Sequence, residues 1–170
     1  MPGRLSPVEL KTPSTTAKDQ PGVVRIGPFG RQFRYVFCKK KIQKWRVVGN
    51  RAVAVTLANH RGWSAGQSAS VILSGAPLGV AFVQISASQY GYVMAAGPLG
   101  VLGGLSVYAI TDGSVAAGDM LIKDESNAVG RFDNPTLTGT QSAWVMGFAN
   151  VVDSGSYLAS GIIRNVFGVA

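Results

Sequence analysis

The chain has 170 residues, which is enough for one domain with an appended arm. Only 14% of its residues are charged and 22 are glycine, a composition that disfavours a helical protein and favours short strands and turns. The single cysteine, Cys38, excludes an internal disulfide and a CxxC-type metal site, and it indicates folding in a reducing compartment.

Charge is distributed unevenly along the chain. Residues 1–61 carry a net charge of +11, whereas residues 62–170 carry −3. This asymmetry indicates that the front of the chain meets something acidic, either nucleic acid or an acidic protein surface. The acidic back also suits contact with the basic front of a neighbouring copy.

Residues 1–22 are predicted to form an extended N-terminal arm on a β-rich domain of residues 23–170. Four prolines, at positions 2, 7, 13 and 21, are expected to prevent a helix in the arm. Two interpretations stay open, a disordered tail or a segment that lies along a partner. In the second, the candidate contact residues are Arg4, Leu5, Val8, Leu10, Lys11 and Lys18.

Two strands are predicted after the arm, at Val23–Ile26 and Arg31–Cys38. In the second, aromatic residues occupy alternate positions, which predicts one buried face made by Phe33, Tyr35 and Phe37. Arg34 is expected on the opposite face.

A basic segment, Lys39–Arg51, follows the second strand. It holds one tryptophan among its basic residues: Lys39, Lys40, Lys41, Lys44, Trp45, Arg46 and Arg51. Basic residues around an aromatic ring suit phosphate contacts and base stacking. A solvated lysine-rich turn and a contact with an acidic protein partner are the other two interpretations.

The middle of the chain, between Arg61 and Asp112, has no charge. Within it, Val93–Ile110 reaches the minimum length of a membrane-spanning helix, but glycines and one proline interrupt it. The prediction is therefore two strands joined by a turn at Gly97–Pro98. A membrane helix and a glycine-rich cofactor loop are the alternatives.

Further strands are predicted along the chain at Ala52–Leu57, Ser70–Leu73, Gly79–Ile85, Val129–Phe132, Ala143–Val152 and Tyr157–Phe167. Ala143–Val152 is apolar on both faces and is expected to be a central strand. Asp153–Ser156 is expected to be the hairpin turn that follows it.

Catalytic and metal-binding patterns are not predicted. His60 is the only histidine and has no nucleophile near it in sequence, so we interpret it as a loop residue. The acidic residues Asp112, Asp119, Asp124 and Glu125 match no calcium-loop spacing. The expectation is a non-enzymatic protein with no cofactor and no metal.

Several short motifs resemble the capsid decoration, or cement, proteins of tailed bacteriophages. The similarity covers roughly Arg31–Phe167, and these segments carry it: Phe33–Val36, Leu78–Ala81, Tyr90–Val93 with Gly97–Pro98, Val115–Leu121 and Val145–Ala149. The strongly basic Lys39–Arg51 segment departs from the family pattern.

The resemblance implies an all-β protein, a compact β barrel or sandwich, on the outer surface of a virion capsid. Such a protein is made in the host cytoplasm and stabilises the head. Its implied partners are the major capsid protein and other copies of itself, as a dimer or trimer, with no membrane contact. Nucleic-acid binding through Lys39–Arg51 is the alternative function.

Overall fold

A computed structural model describes residues 5–39, 41–50, 64–67, 77–111, 113, 115–123, 131–133, 145–153 and 155–164. These residues form one short helix, α1 (Pro7–Lys11), and a set of β-strands, which confirms the all-β prediction. The strands are β1 (Val24–Ile26), β2 (Gln32–Cys38), β3 (Val47–Asn50), β4 (Ser64–Gln67), β5 (Pro77–Val80), β6 (Gln89–Pro98), β7 (Gly100–Leu102), β8 (Leu105–Val107), β9 (Ala109–Ile110), β10 (Met120–Lys123), β11 (Phe132–Asp133), β12 (Val145–Asp153) and β13 (Leu158–Ile163).

Most of the strands belong to one large sheet. Its neighbours run in the order β1-β2-β4-β3-β5-β6-β13-β12-β10-β11, and β2 also pairs with β6. The strands β2, β4, β3, β5 and β6 therefore pair in a ring, in which β2 and β4 run parallel and the other neighbours antiparallel. Beyond this ring, β13, β12, β10 and β11 continue the sheet with antiparallel pairing.

Strand β2 is buried on both faces. Phe33 and Tyr35 enter one hydrophobic cluster, while Val36 and Cys38 enter a second cluster on the opposite face. The prediction that Arg34 lies on an exposed face is wrong, because alternate residues of β2 all face packed neighbours. Burial raises the pKa of the Cys38 thiol to about 12.

The predicted turn at Gly97–Pro98 is also wrong. Strand β6 continues through both residues, and the chain reverses later, at Gly103 and Gly104 between β7 and β8. Gly97 has a φ of +125°, and a Cβ there would lie 2.9 Å from the Arg31 Cα. This glycine therefore serves a close approach of two backbones rather than a turn.

The strands in this region exclude the two alternatives weighed for it. Residues 93–110 lie largely in β6, β7, β8 and β9, so they form neither a membrane helix nor a loop that opens a helix. Among the described residues, no helix has the length and apolar character needed to cross a bilayer.

The N-terminal segment contains a helix that its prolines were expected to prevent. Pro7 occupies the first turn of α1, where its missing N–H costs nothing. Ser6 caps the helix by accepting from the Glu9 N–H, while the Glu9 carboxylate accepts from the Ser6 N–H. The position of Pro7, rather than the number of prolines in the segment, therefore explains why a helix forms.

The C-terminal predictions hold where the structure describes them. Strand β12 lies between β10 and β13, as expected for a central strand, and Asp153 accepts hydrogen bonds from Gly155 and Ser156 in the turn that follows. The predicted strand Gly79–Ile85 is shifted to β5, and β10 was not predicted. Ala52–Leu57, His60 and Ser70–Leu73 lie outside the described residues.

Candidate partner-binding surfaces

The predicted contact residues are not brought together by the fold. Those of the arm, Leu5, Val8, Leu10 and Lys11, lie near the start of β2, where α1 meets the 3-10 turn Pro28–Gly30. Those of the basic segment follow the last residue of β2: Lys39, Lys41, Lys44, Trp45 and Arg46. A strand of seven residues separates the two groups by about 20 Å. Arg4 and Lys40 lie outside the described residues.

The surface at the start of β2 is an apolar groove, which we name the apolar end. It is lined by Leu5, Pro7, Pro28 and Phe29 and has a volume of about 360 Å³. The residues come from α1 and its N-terminal flank on one side and from the 3-10 turn on the other. Its proline and aromatic lining presents a hydrophobic surface with few polar groups.

Phe29 is the most unusual residue of the apolar end. Its φ of +58° is a left-handed conformation that bulky side chains rarely adopt, and 58% of the residue is exposed. The ring lies against Gly103, where a Cβ would come within 2.5 Å of the Phe29 Cε2 atom. The β7–β8 turn therefore supports the exposed ring from one side, and only glycine leaves room for it.

Arg31 lies beneath this turn and is completely buried. Its guanidinium donates to the carbonyl oxygens of Pro98 at 2.8 Å, Gly100 at 2.8 Å and Leu105 at 2.9 Å, and more weakly to Leu102 at 3.4 Å. Burial lowers the pKa of Arg31 below its ordinary value. One side chain thus fixes the end of β6 and both strands of the β7–β8 hairpin by bonding their main chain.

Helix α1 completes the apolar end. Leu10 is buried against the core and anchors the helix, while the Lys11 ammonium donates to the Gly104 carbonyl in the β7–β8 turn. Val8 projects outward and is 73% exposed. The helix is therefore tied to the body at two points and leaves one apolar side chain for a partner.

The rest of the N-terminal segment is held by Asp19. Its carboxylate accepts from Arg25 through Nε and Nη2, each at 2.8 Å, and from the Tyr92 hydroxyl at 2.9 Å. These bonds, led by the one from Arg25, lower the pKa of Asp19 despite partial burial. Burial and the bond to Asp19 raise the pKa of Tyr92. Next to Asp19, the Lys18 N–H donates to the Tyr35 hydroxyl, so the predicted arm lies on its own body.

The surface after β2, which we name the basic end, is of a different kind. Lys39, Lys41 and Lys44 are exposed, and among the described residues no acidic group forms an ion pair with them. The Lys44 ammonium lies 4.2 Å from the centre of the Trp45 ring. The same ring also packs edge-on against Tyr108.

Trp45 is held by its backbone rather than by deep burial. Its φ is +65°, its N–H donates to the Ala81 carbonyl, and its carbonyl accepts from the Ile110 N–H at 3.1 Å. Next to it, burial first and then repulsion from Arg131 lower the pKa of Arg46. The basic end therefore presents a main chain fixed by hydrogen bonds, with exposed lysines and one half-buried ring.

Two residues that matter at the apolar end were not found from the sequence. The sequence does contain a pattern that could have identified Phe29. It lies between Pro28 and Gly30 in a turn, where an aromatic side chain is expected to be exposed. No such pattern exists for Arg31, because a buried arginine that bonds only carbonyls has no partner visible in the sequence. Within the described part of the chain, no group of His, Cys, Asp and Glu residues is placed to hold a metal ion.

Comparison with known proteins adds no relative: no family model, no curated protein and no solved structure matches the chain. The geometry therefore defines only a class, an all-β protein with two separate exposed surfaces, one apolar and one basic. Its function has to be argued from those two surfaces.

Proposed function

We propose that this chain is a non-enzymatic structural protein of a virus particle, a decoration protein that binds the outer surface of the major capsid protein lattice. In this proposal the apolar end and the basic end both contact capsid subunits, and binding stabilises the head. The resemblance of several short motifs to the decoration proteins of tailed bacteriophages supports this class of partner. Its place of action is then the virion surface, after synthesis in the host cytoplasm.

One observation carries the proposal: the two candidate surfaces lie at opposite ends of the same strand, β2. This strand is buried on both faces and pairs with β6 over seven residue pairs, so it separates the two ends as a rigid spacer. A protein with contacts at both ends of a rigid sheet is suited to touch two neighbouring subunits at once. Bridging of that kind strengthens a shell because the second contact forms at high effective concentration.

The two ends are expected to contribute in different ways. At the apolar end, Phe29 and the groove beside it are held in place before binding, so little conformational entropy is lost on contact. At the basic end, the three exposed lysines attract an acidic surface by long-range electrostatics. Dissolved salt shortens the distance over which this attraction acts. Binding should therefore consist of a salt-resistant part and a salt-sensitive part.

The test is co-sedimentation of the full chain with intact, DNA-free phage capsids. We expect saturable binding at low salt that weakens only in part as salt is raised. Failure to sediment with intact capsids at low salt would overturn the proposal, because DNA-free capsids present the whole outer lattice.

Two variants separate the ends. Phe29→Ser should reduce binding at every salt concentration, since it removes a preorganised apolar contact. The triple substitution Lys39→Gln, Lys41→Gln and Lys44→Gln should reduce binding mainly at low salt and flatten the salt dependence. Ala117→Ser, at an exposed position in the turn before β10 and outside both surfaces, is the control and should bind as the unmodified chain does.

The second candidate function is nucleic-acid binding at the basic end. It is favoured by the three lysines without acidic partners among the described residues and by the neighbouring Trp45 ring. Against it, Lys44 lies over the Trp45 ring, where a base would stack. A gel shift with single-stranded and double-stranded DNA at two salt concentrations decides the matter: absence of a salt-sensitive shift at low salt removes this candidate.

A further inference from the structure

The outward face of β10, β12 and β13 carries an apolar row that neither proposed contact uses. Met120 on β10 is paired with Phe148 on β12, and Phe148 is paired with Ile162 on β13. Residues directly opposite each other in antiparallel strands point to the same side of a sheet. The three side chains therefore form one row across three strands, and Met120 and Ile162 are exposed.

Further residues extend this face along β12 and β13. Val151 is paired with Ser160, and Asp153 with Leu158, so all four side chains point to the same side as Ile162. Val151 is exposed and adds a second apolar contact beside the row. The buried residues of β13, Ala159 and Ile163, lie at the alternate positions and face the core.

Opposite charges mark the two ends of the same face. Asp153 lies where β12 ends, and Arg164 lies just past the end of β13, with its guanidinium carbon 5.6 Å from the centre of the Phe148 ring. Because the two strands are antiparallel, these residues are separated by about six residues along β13, or roughly 20 Å. The face is thus apolar in the middle, acidic at one end and basic at the other.

We infer that this face is the interface between two copies of the chain, packed face to face about a two-fold axis. A two-fold axis that lies in the plane of the interface, at right angles to the strands, turns one copy end for end while the two faces meet. It places the apolar row of one copy on that of the other, and Asp153 of each copy beside Arg164 of its partner. The same residues then make each contact twice, as a closed two-fold interface requires.

A second copy fits this face better than other occupants because the face is complementary to itself. Among the described side chains of this face the charges are one acid, Asp153, and one base, Arg164, so self-packing pairs them as two opposite-charge pairs. The basic end lacks this property, since two copies packed there would oppose lysines to lysines. The inference does not depend on the proposed function, because it concerns the isolated protein and a different surface.

The first experiment measures the mass of the full chain by light scattering across a wide concentration series. We expect twice the mass of a single chain at high concentration, and loss of the dimer in Ile162→Glu, because the packing would bury an uncompensated charge in each copy. The control is Val101→Glu, at a position 62% exposed on β7, which should leave the dimer unchanged. Circular dichroism establishes that both variants are folded.

Two results would overturn the inference outright. One is the mass of a single chain at every concentration for the unmodified protein. The other is a dimer that Ile162→Glu leaves as strong as before, since a charge within the row cannot be accommodated in the proposed packing.

The second experiment tests the two-fold arrangement by charge exchange. Arg164→Glu alone should not dimerise, because two acids would meet, and Asp153→Arg alone should not dimerise, because two bases would meet. An equimolar mixture of the two should form a heterodimer, in which both pairs are again of opposite charge. Two folded variants that form no heterodimer on mixing would exclude this arrangement. Because Asp153 also bonds Gly155 and Ser156 in its turn, the Ile162 experiment serves if Asp153→Arg does not fold.

Discussion

The two ends of β2 differ in how their surfaces are held. At the apolar end, a buried guanidinium bonds the main chain of the β7–β8 hairpin, a glycine makes room for Phe29, and a buried leucine anchors α1. At the basic end, the backbone of Trp45 is bonded to neighbouring segments, but the lysines around it extend into solvent. The apolar end is therefore a surface of fixed shape, whereas the basic end is defined mainly by its charge. The two ends should respond to different perturbations.

Substitution of Arg31 should have the largest effect on the apolar end. Arg31→Met removes donors to four carbonyls and leaves buried acceptors unsatisfied, so we expect the free energy of unfolding to fall by about 3–5 kcal/mol. Arg31→Lys should recover only part of this, because an ammonium cannot reproduce the guanidinium geometry. Urea denaturation measures both, and a loss below about 1 kcal/mol in Arg31→Met would contradict the role given to this residue.

Substitution of Leu10 should have the next largest effect. Leu10 is 1% exposed, so Leu10→Ala should cost about 2–4 kcal/mol through lost burial and the cavity left behind. Val8 lies two positions earlier and is 73% exposed, so Val8→Ala should change stability by less than about 0.5 kcal/mol. Equal losses in the two variants, measured by urea denaturation, would show that α1 is not anchored as described.

A smaller effect is expected at the β7–β8 turn, where two adjacent glycines form a matched pair. Both have left-handed φ values, +58° at Gly103 and +73° at Gly104, but only Gly103 faces the Phe29 ring. Gly104→Ala should cost about 1 kcal/mol from backbone strain alone. Gly103→Ala should cost more and should also displace Phe29, and under the proposed function it should therefore weaken capsid binding. If the two variants bind capsids equally well, the position of the ring does not matter for binding.

The smallest effect concerns the Asp19 cluster, which holds the rest of the N-terminal segment. The pKa of Asp19 is lowered from its ordinary value of 3.8 in the folded chain, so its stabilisation is complete above that value. The stabilisation is lost as the pH falls through the lowered pKa. The free energy of unfolding should therefore decrease below pH 3.8 less steeply in Asp19→Asn than in the unmodified chain. Parallel pH profiles of the two proteins would contradict this contribution.

The sequence predicted those parts of the fold that depend on local pattern. Alternating apolar residues identified β2, the apolar run identified β12 as a central strand, and the charge distribution identified the basic end. These succeeded because strand pattern and surface charge are properties of a few neighbouring residues.

The parts that failed depend on contacts between distant segments. Gly97 was assigned to a turn because its close approach to Arg31 joins residues 66 positions apart. Arg34 was placed on an exposed face because nothing in β2 itself indicates that both of its faces are covered. The helix α1 was missed for a different, local reason: the number of prolines was weighed, whereas Ser6 and Glu9 form a capping box that places Pro7 in the first turn, where proline is tolerated.

The pairing of β2 with β6 also sets an order of events during synthesis. Residues 32–38 find their longest partner only at residues 89–98, so β2 cannot be completed until some 60 further residues have left the ribosome. At ordinary translation rates this delay is on the order of several seconds. Throughout it the most basic third of the chain is present without its partner strand. The positive charge of residues 1–61 thus also keeps nascent copies apart, because like-charged unfolded segments repel one another.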